Sequence, residues 1–211
     1  MHQSLTIHGV QMDLLPGRAV FLPATQVCII ADLHLGKTEH FRKHGIPIPG
    51  EVAKKDLQNL SLLLQKTSAK ELIIAGDFFH DSANSELNLF HSFREKHSLP
   101  IHLVKGNHDR LSSDLYTNFD LNLVDELQIS SHIIVRHEPT ETSTAFVICG
   151  HIHPGIALRG PSRQGFKLPA FLLNSQELVL PAFSRFTGLD TAYATASHKA
   201  FILAENRVVE C

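Results

Sequence analysis

Residues 71–80 of the chain read Glu-Leu-Ile-Ile-Ala-Gly-Asp-Phe-Phe-His. Residues 71–75 form a short, mainly apolar run, and the carboxylate of Asp77 follows directly after the glycine. A run of this length predicts a buried β-strand, and the Gly-Asp pair predicts the turn that ends it. Upstream, leucines recur among polar residues at close to helical spacing over residues 51–66. Residues 19–31 hold two more apolar runs around a proline, and the second run ends directly at Asp32. The order strand, helix, strand predicts an α/β fold with a largely parallel sheet.

The alternation of strands and helices continues to about residue 120 and then stops. A helical pattern near residues 84–97 precedes an apolar run at 101–104, which extends the predicted sheet. Further along, short apolar runs follow one another closely, at residues 121–124, 132–135, 145–149, 171–173, 178–180 and 200–203. We therefore expect a single domain spanning residues 1–211, in which two sheets face each other with helices on the first sheet. The stretch 159–169 is expected to be an exposed loop.

Composition excludes several classes of protein. The chain has 211 residues, 43% of them hydrophobic, and a formal net charge of -2, so it lacks the overall basic charge of dedicated nucleic-acid binders. Any polyanion must be held by a local patch. The three cysteines, Cys28, Cys149 and Cys211, form no Cys-x-x-Cys pair, which argues against a disulfide framework or a zinc knuckle. No apolar run approaches the roughly 18 residues of a membrane span, and the first residues lack a leader pattern. We expect a soluble, unprocessed cytoplasmic protein with no membrane partner.

Groups that can bind metal ions stand directly after the predicted strands. They lie in five segments: Asp32-Leu33-His34, Gly76-Asp77-Phe78-Phe79-His80, Gly106-Asn107-His108-Asp109, Arg136-His137-Glu138-Pro139 and Gly150-His151-Ile152-His153-Pro154. In an extended segment, residues i and i+2 point to the same side, so Asp32 and His34 can bind one ion together, as can His151 and His153. Each segment alone is also typical of a solvated loop. Their conjunction at strand ends, which converge in such a fold, predicts a metal centre.

The ordered set of segments resembles the calcineurin-like metallophosphoesterase superfamily, whose pattern is D-x-H, G-D-x-x-H, G-N-H-D/E, a lone His and G-H-x-H. The resemblance covers residues 32–154, while residues 155–211 carry none of these motifs. It implies a four-layer αββα sandwich with two central sheets flanked by helices. It also implies a phosphoesterase that uses two metal ions, which would lower the pKa of a shared water and clamp the phosphoryl oxygens.

The resemblance implies a ligand set for each of the two ions. One ion would be held by Asp32, His34, Asp77 and His153, and the other by Asp77, Asn107, His137 and His151. Asp77 would bridge them, since a carboxylate has two oxygens. A shell of nitrogen and oxygen donors without thiolates favours manganese, iron, zinc or nickel over calcium or magnesium.

Flanking residues resemble a narrower family. They are Ala31-Asp32-Leu33-His34-Leu35-Gly36-Lys37, His40-Phe41-Arg42-Lys43, Gly45-Ile46-Pro47, Leu180-Pro181-Ala182-Phe183 and Phe186-Thr187-Gly188. This set is similar to the bacterial ligase-associated DNA-damage-response phosphoesterase family, PdeM. The resemblance implies a manganese-dependent DNA nuclease that acts in DNA repair. It also implies a helicase and an ATP-dependent DNA ligase, encoded alongside, as functional partners.

Two further histidines are candidates for catalysis. His108 follows a ligand by one residue and cannot easily share the same ion, so we expect it to protonate the leaving group, with Asp109 holding its imidazole in the productive tautomer. A structural histidine is the alternative. His80 matches a histidine in DNA-repair nucleases of the superfamily and would contact the phosphate, or else form hydrogen bonds at the start of the following helix.

Basic residues cluster beside the first ligand segment. Lys37, Arg42 and Lys43, joined by Arg110 after the third segment, form the local patch that a DNA backbone requires, although a solvated helix face has the same pattern. The histidines at positions 40 and 44 belong to this cluster. Phe41 would stack on an unpaired base or else lie in the core. Arg159, Arg163, Lys167 and Arg185 would extend the track if the fold brought them to the metal edge.

Three functions are compatible with these features. The first is a DNA phosphodiesterase, favoured by the resemblance and the basic cluster. The second is a phosphodiesterase or phosphatase acting on a small nucleotide or a nucleotide-linked lipid, which a cap over the metal site would favour. The third is a scaffold that binds proteins without catalysis. Such scaffolds typically lose ligands, whereas this chain has the whole set.

Overall fold

The first half of the chain forms a mixed β-sheet. The computed structural model describes residues 1–49, 51–80, 86–140, 143–159 and 165–211. The strands of the first sheet are β1 (Gln3–Ile7), β2 (Val10–Leu15), β3 (Ala19–Leu22), β4 (Val27–Ile30), β5 (Glu71–Ala75), β6 (Ile101–Val104) and β7 (Leu121–Val124). They lie side by side in chain order. Pairing is antiparallel from β1 to β4 and parallel from β4 to β7. The predicted parallel sheet is therefore the second half of this sheet, and β1 and β2 extend it by a hairpin.

The rest of the chain forms a second sheet. Its strands are β8 (Leu127–Ser130), β9 (Ile133–Val135), β10 (Phe146–Cys149), β11 (Gly155–Arg159), β12 (Gly165–Leu173), β13 (Glu177–Val179), β14 (Lys199–Ala204) and β15 (Arg207–Glu210). Their order is β15-β14-β12-β13-β10-β9-β8, and β11 pairs with β12. Only β10 with its neighbours β9 and β13 is parallel. Because β9 and β10 are parallel, the candidate ligands that follow them, His137 and His151, lie at the same end of the sheet.

Helices cover the outer face of the first sheet. Those in the described residues are α1 (Lys37–Lys43), α2 (Val52–Thr67), α3 (Leu87–Lys96) and α4 (Ser113–Asn118). The leucines predicted from helical spacing in α2, including Leu57, Leu60 and Leu64, are buried against Ile30, Ile74 and Leu103 of the sheet. None of the described helices has the length and apolar character needed to cross a membrane.

The two sheets meet in a core made by their facing sides. From the first sheet come Met12, Leu14, Val20, Ile29, Ile73 and Val104, and from the second Ile133, Val135, Ile148, Phe171, Leu178 and Phe201. The predicted α/β sandwich of two facing sheets is thereby confirmed. All strands of the parallel core, β4, β5 and β6, are buried on both faces, which is why each appeared in the sequence as a continuous apolar run.

In the part of the chain that the structure describes, the outer face of the second sheet is not covered by helices in the way that the outer face of the first sheet is. Among the described residues, no helix follows β7 along the chain. Instead Ile156, Leu158 and Leu168 of the β11–β12 hairpin pack with Tyr193 against the outer face of the second sheet. The described connections between the strands of the second sheet contain no crossover helix. The predicted loop at 159–169 is wrong for Arg159, which ends β11, and for residues 165–169, which belong to β12; residues 160–164 lie outside the described residues.

Aromatic packing beneath the helices provides a test of the core. Phe90 of α3 is fully buried, and its ring centre lies 4.7 Å from that of Phe78 and 5.2 Å from that of Phe119. We expect Phe90→Ala to lower the free energy of unfolding by about 3 to 5 kcal/mol, because it leaves a cavity as well as losing contacts. Chemical denaturation measures this.

Leu62→Ala is the matched control for the Phe90 variant. Leu62 lies on α2 but is 61% exposed, so its truncation should cost less than about 0.5 kcal/mol. Equal losses for the two variants would contradict the assignment of Phe90 to the core.

Candidate metal centre

The ligand segments of both sheets meet at one edge of the sandwich. Asp32, Asp77 and Asn107 follow the parallel strands β4, β5 and β6. His137 and His151 follow β9 and β10 of the second sheet. Contacts between the sheets close the gap, since the His151 amide donates to Asp32 Oδ2 at 2.9 Å and His137 Nδ1 lies 3.1 Å from the carbonyl oxygen of Ala75. The predicted convergence of the segments is therefore present.

One cluster of potential ligand atoms consists of Asp32, His34 and His153. His34 Nε2 lies 3.1 Å from His153 Nε2, which is 3.6 Å from Asp32 Oδ1. Asp32 is 0% exposed and His34 is 5% exposed. Burial, helped by the nearby ammonium of Lys37, lowers the pKa of His34 to about 2. The imidazole is therefore neutral, the form that binds a metal ion.

A second cluster consists of Asp77, His137 and His151. Because the Ala75 carbonyl can only accept a hydrogen bond, its contact with His137 Nδ1 places the proton there and leaves a lone pair on Nε2. That Nε2 faces three further atoms: His151 Nδ1 at 3.1 Å, Asn107 Oδ1 at 3.0 Å and Asp77 Oδ1 at 3.5 Å. Oxygen and nitrogen lone pairs repel one another at such distances unless a cation or a proton lies between them. This set of donors fits a divalent ion.

The backbone is strained at most of the predicted ligands. Positive φ angles occur at Asp32 (56°), His34 (51°), Asp77 (49°), His151 (69°) and His153 (52°). Non-glycine residues rarely adopt this left-handed conformation, which costs roughly 1–2 kcal/mol each. The expectation that Asp32 and His34 converge because their segment is extended is wrong, and so is the expectation that His151 and His153 bind one ion together, since they belong to different clusters. The side chains of Asp32 and His34 meet because left-handed turns point both of them back into the site.

Glycines allow the loops to approach the ligands closely. A Cβ at Gly150 would lie 2.6 Å from Asp32 Oδ2. A Cβ at Gly106 would collide with the amide nitrogen and Oδ1 of Asp77. The glycine before each of these ligand segments is therefore needed for space as well as for the turn.

His108 lies beside both clusters without belonging to either. Its amide donates to Asp77 Oδ1 at 2.9 Å, and its half-buried ring stacks on His80 with the ring centres 4.8 Å apart. The His34 ring is 5.6 Å away. This position matches the expectation that His108 faces the centre but does not share a ligand position.

Asp109 does not contact the His108 ring, contrary to expectation. It is 0% exposed, its Oδ1 accepts from the Phe79 amide and its Oδ2 from the Gly106 amide, both at 2.9 Å. Burial raises the pKa of Asp109 to about 6, although these two hydrogen bonds oppose the shift. Asp109 points away from His108 into the space between two ligand loops and ties them together.

His80 lies in the wall of the centre. Its ring centre is 5.8 Å from that of His34 and 5.3 Å from that of His40. The alternative expectation placed His80 at the start of the following helix, but α3 begins at Leu87 with Glu86 in the capping position. The position of His80 beside the His34 ring favours the first expectation, in which His80 contacts the phosphate.

The basic cluster divides into two groups. Lys37 is half-buried; burial lowers its pKa and the carboxylates of Asp32 and Asp77 oppose that shift. Lys43 and Arg110 are exposed, Lys43 beside Glu39 at 3.0 Å. Arg42 instead lies 3.4 Å from Glu86, a carboxylate that is 3% exposed. Arg42 is therefore held by a buried carboxylate, whereas Lys43 pairs with Glu39 at the surface, and Lys37 and Arg110 have no carboxylate within ion-pair distance among the described residues.

Glu86 is a structural residue that the sequence analysis missed. Its carboxylate accepts hydrogen bonds from the Gly36 amide at 2.8 Å and from the Thr38 hydroxyl. It thereby fixes the start of α1 directly after the first ligand segment. An acidic residue ahead of an apolar helix was the only available signal, and it is too common to identify such a role.

The remaining aromatic and basic candidates lie elsewhere. Phe41 is half-buried and packs edge to face against Phe186, with the ring centres 6.0 Å apart; it does not belong to the buried core, so the alternative placement in the core is wrong. Arg159 and Lys167 lie on the β11–β12 hairpin, and Arg163 is outside the described residues. Arg185 lines a separate cleft of about 850 Å³ with Met1 and Leu62. An extension of the basic track through Arg185 is therefore not supported.

Comparison with known proteins agrees with this geometry. Residues 25–140 match the family described as Calcineurin-like phosphoesterase. The crystal structure of Pseudomonas putida nuclease MPE is similar over 100% of both chains, with 30% sequence identity and a TM-score of 0.85. The DNA double-strand break repair protein Mre11 of Archaeoglobus fulgidus is 27% identical over 115 residues, or 52% of this chain. The chain spans about a quarter of that relative, 24% of its length.

The close approach at Gly106 generates a prediction about metal binding. We expect Gly106→Ala to weaken Mn²⁺ binding by at least about tenfold, since the added methyl displaces Asp77 and mutations around metal ligands have effects of this size. Equilibrium dialysis of the metal-free protein measures the affinity.

Gly165→Ala provides the control for the Gly106 variant. Among the described residues, a Cβ at Gly165 meets no atom nearer than the Leu158 carbonyl oxygen at 3.9 Å, so Mn²⁺ affinity should not change. Normal affinity in Gly106→Ala would show that Asp77 tolerates displacement or does not bind metal.

Proposed function

The chain belongs to the calcineurin-like phosphoesterase family and is a metal-dependent phosphoesterase, and from this premise we propose that it hydrolyses phosphodiester bonds of DNA. The observation that carries the proposal is the pair of adjoining ligand clusters with the ammonium of Lys37 close to the carboxylates of both. Similarity over the full length to a protein titled a nuclease supports the choice of DNA. A role in DNA repair, with a helicase and an ATP-dependent ligase as partners, rests on the sequence resemblance to PdeM.

The proposed cofactors are two divalent transition-metal ions. Asp32, His34 and His153 would hold one, and His137, His151 and Asn107 the other, with Asp77 bridging. When bound, such ions supply a water activated near neutral pH and positive charge for the phosphoryl oxygens. Manganese is the proposed metal, and the mixed nitrogen and oxygen donors are also compatible with iron, zinc or nickel.

The protein's own contribution to the chemistry is a proton and positive charge. His108 is placed to donate a proton to the leaving oxygen, because its ring is half-buried beside the clusters and its nitrogens are not used for metal. The stacked ring of His80 holds that of His108 in place. Lys37, whose charge the carboxylates of Asp32 and Asp77 favour, would contact a non-bridging phosphate oxygen.

Charge around the centre is uneven and indicates the path of the DNA. On one side α1 presents Lys37 and Lys43. Arg110 does not belong to that side, since its Nε donates to the Asn107 carbonyl oxygen at 2.9 Å. On the other side a groove of about 590 Å³ opens beside Asn107 and His137. The groove is lined by the exposed acids Asp125, Glu126 and Glu138 and by two cations, Lys105 and Arg136, of which Arg136 is paired with Glu126 at 2.7 Å. We propose that the sugar-phosphate backbone runs along α1, because the acids of this groove repel it.

A second candidate function is hydrolysis of a small nucleotide or nucleotide-linked lipid. The same groove favours it, since about 590 Å³ is within the range of pockets for small ligands. The scaffold function is disfavoured, because the seven potential ligands lie together at one edge.

The proposed activity is tested by adding metal back to metal-free protein. We expect no hydrolysis without metal and, with Mn²⁺, cleavage of single-stranded circular DNA or duplex DNA together with bis-p-nitrophenyl phosphate. Asp77→Asn purified in parallel should be inactive on every substrate, which excludes a contaminating nuclease. Hydrolysis of the ester without any cleavage of DNA would favour the small-molecule function instead.

The role of His108 is tested by varying the leaving group. His108→Ala should retain both ions but lose roughly 10²-fold to 10⁴-fold in the rate of DNA cleavage, the usual contribution of a general acid. The loss should be smaller on bis-p-nitrophenyl phosphate, whose leaving group departs readily as an anion. His91→Ala, at an α3 histidine whose side chain is 66% exposed, should match wild type. Equal losses on DNA and ester for His108→Ala would remove it from the general-acid role.

A further inference from the structure

A strap of residues 181–187 runs behind the first ligand segment. It lies outside residues 25–140, which match the family, and contains part of the sequence that resembled PdeM. The amide of Phe183 donates to the carbonyl oxygen of Ala31 at 2.7 Å, and the amide of Ser184 donates to that of Asp32 at 3.2 Å. The strap thus binds the peptide groups that carry the Asp32 ligand.

Two charged side chains from other elements hold the strap. Arg18, in the turn between β2 and β3, donates through Nη1 to the carbonyl oxygens of Ala182 at 3.0 Å and Ser184 at 2.8 Å. Asp56 of α2 is 3% exposed; burial raises the pKa of its carboxyl group, and the neighbouring Ser184 side chain and Arg185 amide oppose that shift. The strap is therefore clamped from two sides and has little freedom to move.

This clamp acts where the backbone is strained. Asp32 and His34 both have positive φ angles, and strained residues persist only when the surrounding structure holds them. The carbonyl groups that the strap binds belong to Ala31 and Asp32, so the strap opposes relaxation of this turn. Within the described residues the strap makes no hydrogen bond to Asp77, His137 or His151.

We propose that Arg18 and Asp56 are positioning residues for one ion only, the ion bound by Asp32, His34 and His153. They act through the strap, which keeps the Asp32 turn in its left-handed conformation. This inference rests on the proposed two-ion centre and deepens it. It assigns a function to the C-terminal part of the chain, which carries no superfamily motif.

The test measures the affinity of each ion by calorimetric titration of Mn²⁺ into the full-length, metal-free protein. Wild type should show two binding events. Arg18→Gln should weaken one event by at least about tenfold and leave the other unchanged, since residues behind metal ligands affect affinity by 10-fold to 100-fold. Asp56→Asn should weaken the same event. Arg18→Lys, which keeps the charge and one donor group, should restore part of the affinity.

Arg94→Gln is the matched control for a general loss of stability. Arg94 Nη1 also donates to two carbonyl oxygens, those of His97 at 3.0 Å and Leu99 at 2.9 Å, but it lies on α3. Its variant should lose as much thermal stability as Arg18→Gln while keeping both affinities.

Each other outcome contradicts the inference. These are two affinities weakened equally by Arg18→Gln, no change in either, a loss of affinity in Arg94→Gln, or fewer than two binding events in wild type. If Arg18→Gln does not fold, Asp56→Asn and Arg18→Lys decide by the same criterion. DNA cleavage by wild type is measured separately, so two binding events without cleavage would reject the proposed function and leave the positioning of the ion supported.

Discussion

The repulsion among lone pairs at one sheet edge is the constraint on which the rest of the structure depends. Carboxylate oxygens, an amide oxygen and imidazole nitrogens face one another within 3.0 to 3.6 Å. Such a set is unfavourable unless a cation or a proton lies between the facing atoms, and it therefore has to be held by the fold. Strained turns at five of the ligands, close glycine contacts and the buried Asp109 between two loops all serve this purpose. The parallel strands provide the frame, since their carboxyl ends bring the loops together.

The positions of the candidate ligand segments at strand ends could be predicted from the sequence because buried parallel strands are short, mainly apolar runs. The bounds predicted for β5 and β6 equal those observed, 71–75 and 101–104. Hairpin strands such as β1, with alternating partial exposure and polar residues, lack this signal and were missed. Local sequence patterns therefore predict the strands that are buried in the core better than the partly exposed strands at the edge of the sheet.

Other features depend on contacts between distant parts of the chain and could not be predicted. Asp109 binds the Phe79 amide, 30 residues away, so its neighbour His108 provided no guide to its direction. Arg42 is paired with Glu86, 44 residues away, which removes it from the basic patch. Left-handed φ angles at Asp32 and His34 could not be predicted either, because Asp and His adopt them more often than most residues but still only rarely. In each case the deciding partner comes from another loop.

The central claim, that two ions occupy the adjoining clusters, is tested most directly by anomalous scattering from a crystal grown with Mn²⁺. The account predicts two peaks about 3.5 to 4 Å apart, the usual separation in two-metal sites. One should lie among Asp32, His34 and His153, and the other among Asp77, His137 and His151. A single peak at full occupancy, or two peaks away from these side chains, would contradict it.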